Sequence, residues 1–190
     1  MSIAVAIRNA RQIVLGSDTQ TSFGSSRVPT DNLKTTKIHQ IGDAYLAATG
    51  WGLYENILDD YLDRSPDTKI NTKQAIFSFF MAFWKELHEH YPFVKDQPDK
   101  EDESPFGSLD ASFLVISMQG VFHIGADMSV TSFEKYYAIG SGADYALGAV
   151  AALYEDDLDA TVLCRKAISA AIDFDVHCGG EIDIRVINLA

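Results

Sequence analysis

The order in which two hydrophobic periods occur narrows the fold most. Period-two alternation, the mark of half-buried strands, runs through Ile3, Val5 and Ile7. A second short apolar run covers residues 12–17 after an Asn9-Ala10-Arg11 turn, making a hairpin with the first strand, and residues 36–41 and 44–49 form another predicted hairpin around Gly42-Asp43. The period then changes to that of a helix. Residues 52–64 carry Leu53, Ile57, Leu58, Tyr61 and Leu62, and residues 72–90 carry Ile76, Phe79, Phe80, Phe83, Trp84 and Leu87 on one broad stripe. A third hairpin spans 112–118 and 121–126, and 136–139 reads as a short strand. Helices over 142–154 and 159–174 follow, and a strand over 181–188 closes the chain. This blocked order is not the strict strand–helix alternation of a doubly wound parallel sheet. It predicts an α+β chain: two antiparallel sheets stacked face to face with a helical layer outside each, a four-layer αββα sandwich in one domain over residues 1–190.

Composition excludes several classes. With 15 Lys+Arg against 27 Asp+Glu, the net charge of −12 argues against broad nucleic-acid binding, which needs a cationic face. No apolar run approaches the roughly 18 residues of a membrane span, and the first charge, Arg8, follows an alternating segment rather than preceding an apolar core, so no secretory leader is expected. Two cysteines, Cys164 and Cys178, are too few for a disulfide framework and point to a reducing cytoplasm. Residues 19–32 read as an exposed Gly/Ser-rich loop, and 91–110 as a long acidic loop around Asp99, Glu101, Asp102 and Glu103.

Four constellations bear on chemistry. Gly140-Ser141-Gly142 lacks the third glycine of a dinucleotide loop and the lysine of a phosphate loop, so Ser141 reads first as a helix cap. His88-Glu89-His90 places its imidazoles two apart on a helix, pointing to different sides, so neither metal nor cofactor is expected. His177 and Cys178 are adjacent in extended chain and point apart. Ser2 is different. Removal of Met1 would give one residue both a hydroxyl and a free α-amine, and an amine with a pKa near 7.7–8.0 can act as base for its own side chain. Asp18 ends the strand that pairs with the one Ser2 begins, and Lys37 lies in a strand with Ile38 and Ile41 turned inward on its other face. A lysine cation held there by Asp18 would lower the pKa of both hydroxyl and amine.

Taken together, these blocks resemble the proteasome β-subunit family, bacterial HslV-like members included. Ser2 is followed sixteen residues later by Gly16-Ser17-Asp18; then come Lys37-Ile38-His39-Gln40-Ile41, Ala48-Thr49-Gly50, the block from Ala138 to Ala146, and Asp175 three residues ahead of Gly179-Gly180. The resemblance implies the N-terminal nucleophile hydrolase fold and peptide-bond hydrolysis. Ser2 falls at the nucleophile, usually Thr, with Asp18 and Lys37 as the charged pair. Ser141, Asp175 and Cys178 fall around the terminal amine, Cys178 where many members have Ser. Gly50 matches the oxyanion donor, and Thr21, Ser22 and Thr49 join the substrate-binding set, with the substrate strand held by β-augmentation. Serine lacks the β-methyl that restricts threonine, so slower cleavage is expected.

Alternation from Lys37 places Thr35 and His39 in the pocket for the residue before the cleaved bond, with Ala48 as a small wall; a roomy pocket taking large apolar or polar side chains is expected. The resemblance also implies polypeptide substrates and a homo-oligomeric double ring of roughly twelve to fourteen subunits. It allows an ATP-driven unfoldase as partner, with the acidic loop favouring basic polypeptides at the ring entrance. Two other readings share the sequence: an N-terminal-nucleophile amidase of a small molecule, and a ring-forming homologue left non-catalytic because a retained Met1 blocks the amine.

Overall fold

The computed structural model describes residues 2–24, 26–29, 32–33, 35–91, 109–155 and 158–189. In chain order the strands are β1 (Ile3–Arg8), β2 (Gln12–Asp18), β3 (Ser22–Phe23), β4 (Ser26–Arg27), β5 (Ile38–Ile41) and β6 (Ala44–Gly50). Helices α1 (Gly52–Arg64) and α2 (Lys73–His90) follow, then β7 (Ala111–Ser117), β8 (Gly120–Ile124), β9 (Val130–Phe133) and β10 (Tyr136–Gly140). Helices α3 (Ala143–Leu153) and α4 (Ala160–Phe174) lead into the last strand, β11 (Ile182–Asn188).

Two antiparallel sheets result, one in the order β10-β1-β2-β11 and one in the order β5-β6-β7-β8-β9. The β1–β2 turn is set by Asn9, whose Oδ1 accepts from the backbone N–H groups of Arg11 and Gln12, each at 2.9 Å. Strand parity then sorts the core. Ile3, Val5, Ile7 and Val14 face α3 and α4, packing with Ala146, Leu163 and Ile168. Ala4 and Ala6 face the other sheet, where Ile13 and Leu15 meet Ala47, Leu114, Ile116 and Val121. Small residues on that face of β1 let the sheets approach. On the far side Leu46, Phe113 and Val115 pack beneath α1 and α2, against Ile57, Leu58, Phe80 and Phe83. The αββα order is the expected one. Gly16 belongs to this packing: a Cβ there would come within 2.6–2.7 Å of Cys164, Ile168 and Ile184 side chains.

Four local expectations change. Inside the supposed loop 19–32, β3 and β4 form a small hairpin; strands of two residues carry no period to read. The edge strand β9 was not anticipated, since among its four residues only Val130 is buried. Strand β5 begins at Ile38, so Lys37 stands just ahead of it, although its carbonyl still accepts from Ala48 N at 3.2 Å. Ile38 and Ile41 do not share a face either: Ile38 enters the inter-sheet core and Ile41 the core beneath α1 and α2. Most of the acidic loop, residues 92–108, lies outside the described residues. Its far end is anchored, with Leu109 buried and its N–H bonded to Ala126 O at 2.7 Å.

Candidate functional site

The sheets place three chain segments at one end of the sandwich. Antiparallel pairing with Ala4 opposite Ser17 brings the start of β1 beside the end of β2, and β11 on the other flank of β2 brings Gly179 to the same edge. Asp18 is the centre of this corner. Fully buried, it accepts from Lys37 Nζ at 2.6 Å and from Ile3 N at 3.1 Å through Oδ1, and from Gly179 N at 3.0 Å through Oδ2. Lys37 is itself 5% exposed. A buried carboxylate so placed is both paired and hydrogen-bonded, the condition under which a buried charge is tolerated. The ion pair joins the two sheets, Asp18 from one and Lys37 from the lead-in to the other.

Ser2 is buried directly ahead of β1. Its carbonyl accepts from Gly142 N at 3.4 Å and Ser141 Oγ at 3.5 Å. Ser141 is therefore not the cap of α3; Gly142 takes that position, with no side-chain cap bond. The approach of β10 to Ser2 requires a glycine: at Gly140, with φ of 101°, a Cβ would fall 2.0 Å from Ser2 O.

Asp175, at the end of α4, collects the remaining polar groups. His177 N donates to Oδ1 at 2.9 Å and Cys178 Sγ to Oδ2 at 3.3 Å, and Ser141 bonds the same carboxylate. Burial opposes its ionisation, but these bonds outweigh burial and hold Asp175 below the usual carboxylate range. Burial, with the charges of Asp18 and Asp175 nearby, pushes the Cys178 thiol up to about 12. At neutral pH it is a protonated donor, not a nucleophile.

Six of the candidate residues thus gather at this end: Ser2, Asp18, Lys37, Ser141, Asp175 and Cys178. A cleft of about 730 Å³ opens beside them, lined by Ser22, Thr49, Gly50, Trp51, Ser112 and Ser141 among others. Thr49 Oγ1 donates to Ser112 O at 3.4 Å, and Thr21 O accepts from Val28 N at 3.1 Å. Ser22 Oγ accepts from the buried Gln20 at 3.1 Å, and Trp51 Nε1 donates to Asp110 at 2.5 Å across the cleft rim.

The pocket residues diverge. Ala48 is buried, and Thr35 Oγ1 donates to Thr19 O at 3.3 Å. His39 turns toward α1, its Nδ1 3.0 Å from Asp59 Oδ1. Sequence reasoning missed Asp59, which meets His39 from the helix that starts at Gly52, and it missed the Gly179 N–H that completes Asp18. A backbone donor from 161 residues away left no signal to read. Among the described residues, no group of three or more His, Cys, Asp or Glu side chains is poised to hold a metal ion, and no helix is long and apolar enough to cross a membrane.

The sequence profile of the family described as "Proteasome subunit" matches residues 104–187. The chain is 27% identical over 190 residues to the ATP-dependent protease subunit HslV of Hyphomonas neptunium, covering 97% of this chain and 91% of that one. The solved structure titled "Thiobacillus denitrificans BPH" superposes with a TM-score of 0.89 at 29% identity, over 99% of this chain and 98% of that one. The same protein in complex with epoxomicin gives a TM-score of 0.87 at 29% identity, over 99% of each chain.

Proposed function

We propose that this chain, a proteasome β-type, HslV-like peptidase subunit with the N-terminal nucleophile hydrolase fold, cuts peptide bonds with Ser2 once Met1 has been removed. The observation that carries the reading is the Asp18–Lys37 pair, buried and fixed by two backbone donors at the start of β1 where Ser2 lies.

In the first half-reaction the neutral α-amine of Ser2 takes the hydroxyl proton while Oγ attacks the peptide carbonyl carbon. The oxyanion that forms is received by the Gly50 N–H, a contribution worth roughly 2.7–4 kcal/mol of barrier. The C–N bond then breaks, the proton passes from the α-ammonium to the departing amine, and an ester on Ser2 remains. Water, deprotonated by the same amine, cleaves the ester and restores the hydroxyl. The Lys37 cation favours the ionised hydroxyl throughout. Ser141, Asp175 and Cys178 orient the amine, and Thr21, Ser22 and Thr49 hold the substrate strand along the cleft.

The relatives' name, subunit of an ATP-dependent protease, supports a nucleotide-driven partner that delivers polypeptides; with it we propose a homo-oligomeric double ring of roughly twelve to fourteen chains in the cytoplasm. The neighbour's complex with epoxomicin supports the same inhibitor as a probe here. Intact mass of the purified assembly is expected to lack one methionine per chain and to gain one epoxomicin per chain on treatment. Ser2→Ala is expected to lower fluorogenic peptide turnover about 10³-fold or more and to abolish the adduct. Turnover that survives Ser2→Ala defeats the reading. Hydrolysis of small amides alone, by an unassembled chain, would favour the small-molecule amidase instead.

A further inference from the structure

We infer that Gln20 is a positioning residue: its buried amide turns the hydroxyl hydrogen of Ser22 into the cleft, to meet a carbonyl oxygen of the bound peptide strand. This rests on the peptidase reading above. Gln20 follows β2 by two residues and is 5% exposed. An amide shut away from water must place its protons on acceptors of the chain. Nε2 carries two, and it donates to Val176 O at 3.2 Å and to Ser22 Oγ at 3.1 Å.

The direction of this relay follows from its far end. A backbone carbonyl only accepts, so the atom facing Val176 O is the amide nitrogen and not its oxygen. The same nitrogen faces Ser22 Oγ, which must therefore accept as well. A hydroxyl that accepts there keeps its one hydrogen for another partner. Among the described residues no acceptor takes that hydrogen, and Ser22 is exposed on the cleft wall. Neighbouring contacts hold the amide in one seat. Arg27, opposite Ser22 in the β3–β4 hairpin, also donates to Val176 O, at 2.7 Å, and so fixes that carbonyl. Gly179 closes the other side, since a Cβ there would fall 2.3 Å from Gln20 Oε1. Thr19 is stitched to the same segment, its N–H donating to Glu181 O at 3.0 Å and its Oγ1 accepting from Glu181 N at 2.8 Å. A peptide strand lying along β3 brings carbonyl oxygens to this edge, and these accept what Ser22 offers. The side-chain bond is additional to the backbone pairing proposed above. Without Gln20 the hydroxyl would rotate freely, and its hydrogen would have no preferred direction.

The test uses the full-length assembled protein and a fluorogenic N-acetyl tetrapeptide. Each carbonyl oxygen other than that of the cleaved bond is replaced in turn by sulfur, a poorer acceptor. One of these replacements is expected to raise KM about fivefold in wild type. Ser22→Ala and Gln20→Met are each expected to raise KM for the all-oxygen peptide about fivefold, more than either lowers kcat, and to erase that sulfur penalty. The double variant should do no worse than either single one, because both remove the same bond. Gln20→Glu keeps the shape but must accept the hydroxyl hydrogen and draw it out of the cleft. It should match Gln20→Met, and it serves where the methionine variant fails to fold. A glutamine that only staples the loop would lower stability and leave the sulfur penalty in place. A penalty that survives in Ser22→Ala or in both Gln20 variants, no penalty at any position, or single effects that multiply in the double variant overturn the inference. Binding of the same peptides to the Ser2→Ala protein repeats the comparison without chemistry. A sulfur penalty there, lost when Gln20→Met or Gln20→Glu is added, supports the inference even if the wild-type assembly cuts nothing, which would sink the peptidase reading alone. Equal affinities for all the peptides overturn the inference while leaving that reading intact.

Discussion

Asp18 and Asp59 both flank the segment that carries Lys37 and His39, yet they are held in opposite ways. Asp18 is fully buried and takes three donors, two of them backbone N–H groups that cannot swing away. The Asp59 side chain is 61% exposed and leans on a single imidazole. The first arrangement fixes an ion to a position, as the proposed nucleophilic attack would demand. The second is a surface contact, open to solvent and to screening by salt. Adjacent corners of the same end of the sandwich thus differ in rigidity.

The sharpest way to break this contrast is Lys37→Met. It strands a buried carboxylate, and the expected loss is about 3–5 kcal/mol in denaturant unfolding together with all peptide turnover. Asp18→Asn/Lys37→Met is expected to recover much of the stability and none of the turnover, separating the ion pair's structural part from its chemical one. Gly140→Ala comes next. Its Cβ would press on the Ser2 carbonyl in a backbone region that side chains avoid, costing about 1–3 kcal/mol, and displacing Ser2 should lower kcat about 10²-fold. Cys178→Ser substitutes a stronger donor to Asp175, and Cys178→Ala removes the donor; the two should differ by about 1 kcal/mol in stability, with the serine variant the more stable. Wild-type thiols should resist alkylation at neutral pH until the chain unfolds, since burial pushes both up to about 12.

The His39–Asp59 corner should yield the smallest effects. Asp59→Asn is expected to change stability by less than about 1 kcal/mol, as exposed pairs do. His39 gives the corner a pH signature. Burial, opposed by Asp59, holds it below its ordinary 6.5, so the folded chain refuses a proton that the unfolded chain accepts. Its contribution to stability is complete above pH 6.5 and declines as pH falls toward the lowered folded value. The urea midpoint should therefore drop less between about pH 7.5 and 5.5 in His39→Gln than in wild type.

The architecture was readable because long segments kept one period. Ile3, Val5 and Ile7, and the stripe from Ile76 to Leu87, each commit a whole element to one face. The Asp18–Lys37 pair was readable too, since Gly16-Ser17-Asp18 and Lys37-Ile38-His39-Gln40-Ile41 mark it, and the two side chains meet at 2.6 Å. Short or edge elements such as Ser22–Phe23 and Val130–Phe133 left no period to follow. The partner His39 finds, Asp59 on α1, lies twenty residues away and leaves no mark in the alternation around Lys37. The donors from Gly179 and Gly142 are backbone atoms, which every residue but proline carries and no sequence pattern announces.

Because Asp18 belongs to one sheet and Lys37 leads into the other, neither half of the protein owns the proposed reactive centre. A nascent chain that has formed only its first hairpin would have an exposed serine but no cation beside it. Proteolytic capacity would switch on only when both halves dock, so immature molecules stay harmless to their neighbours.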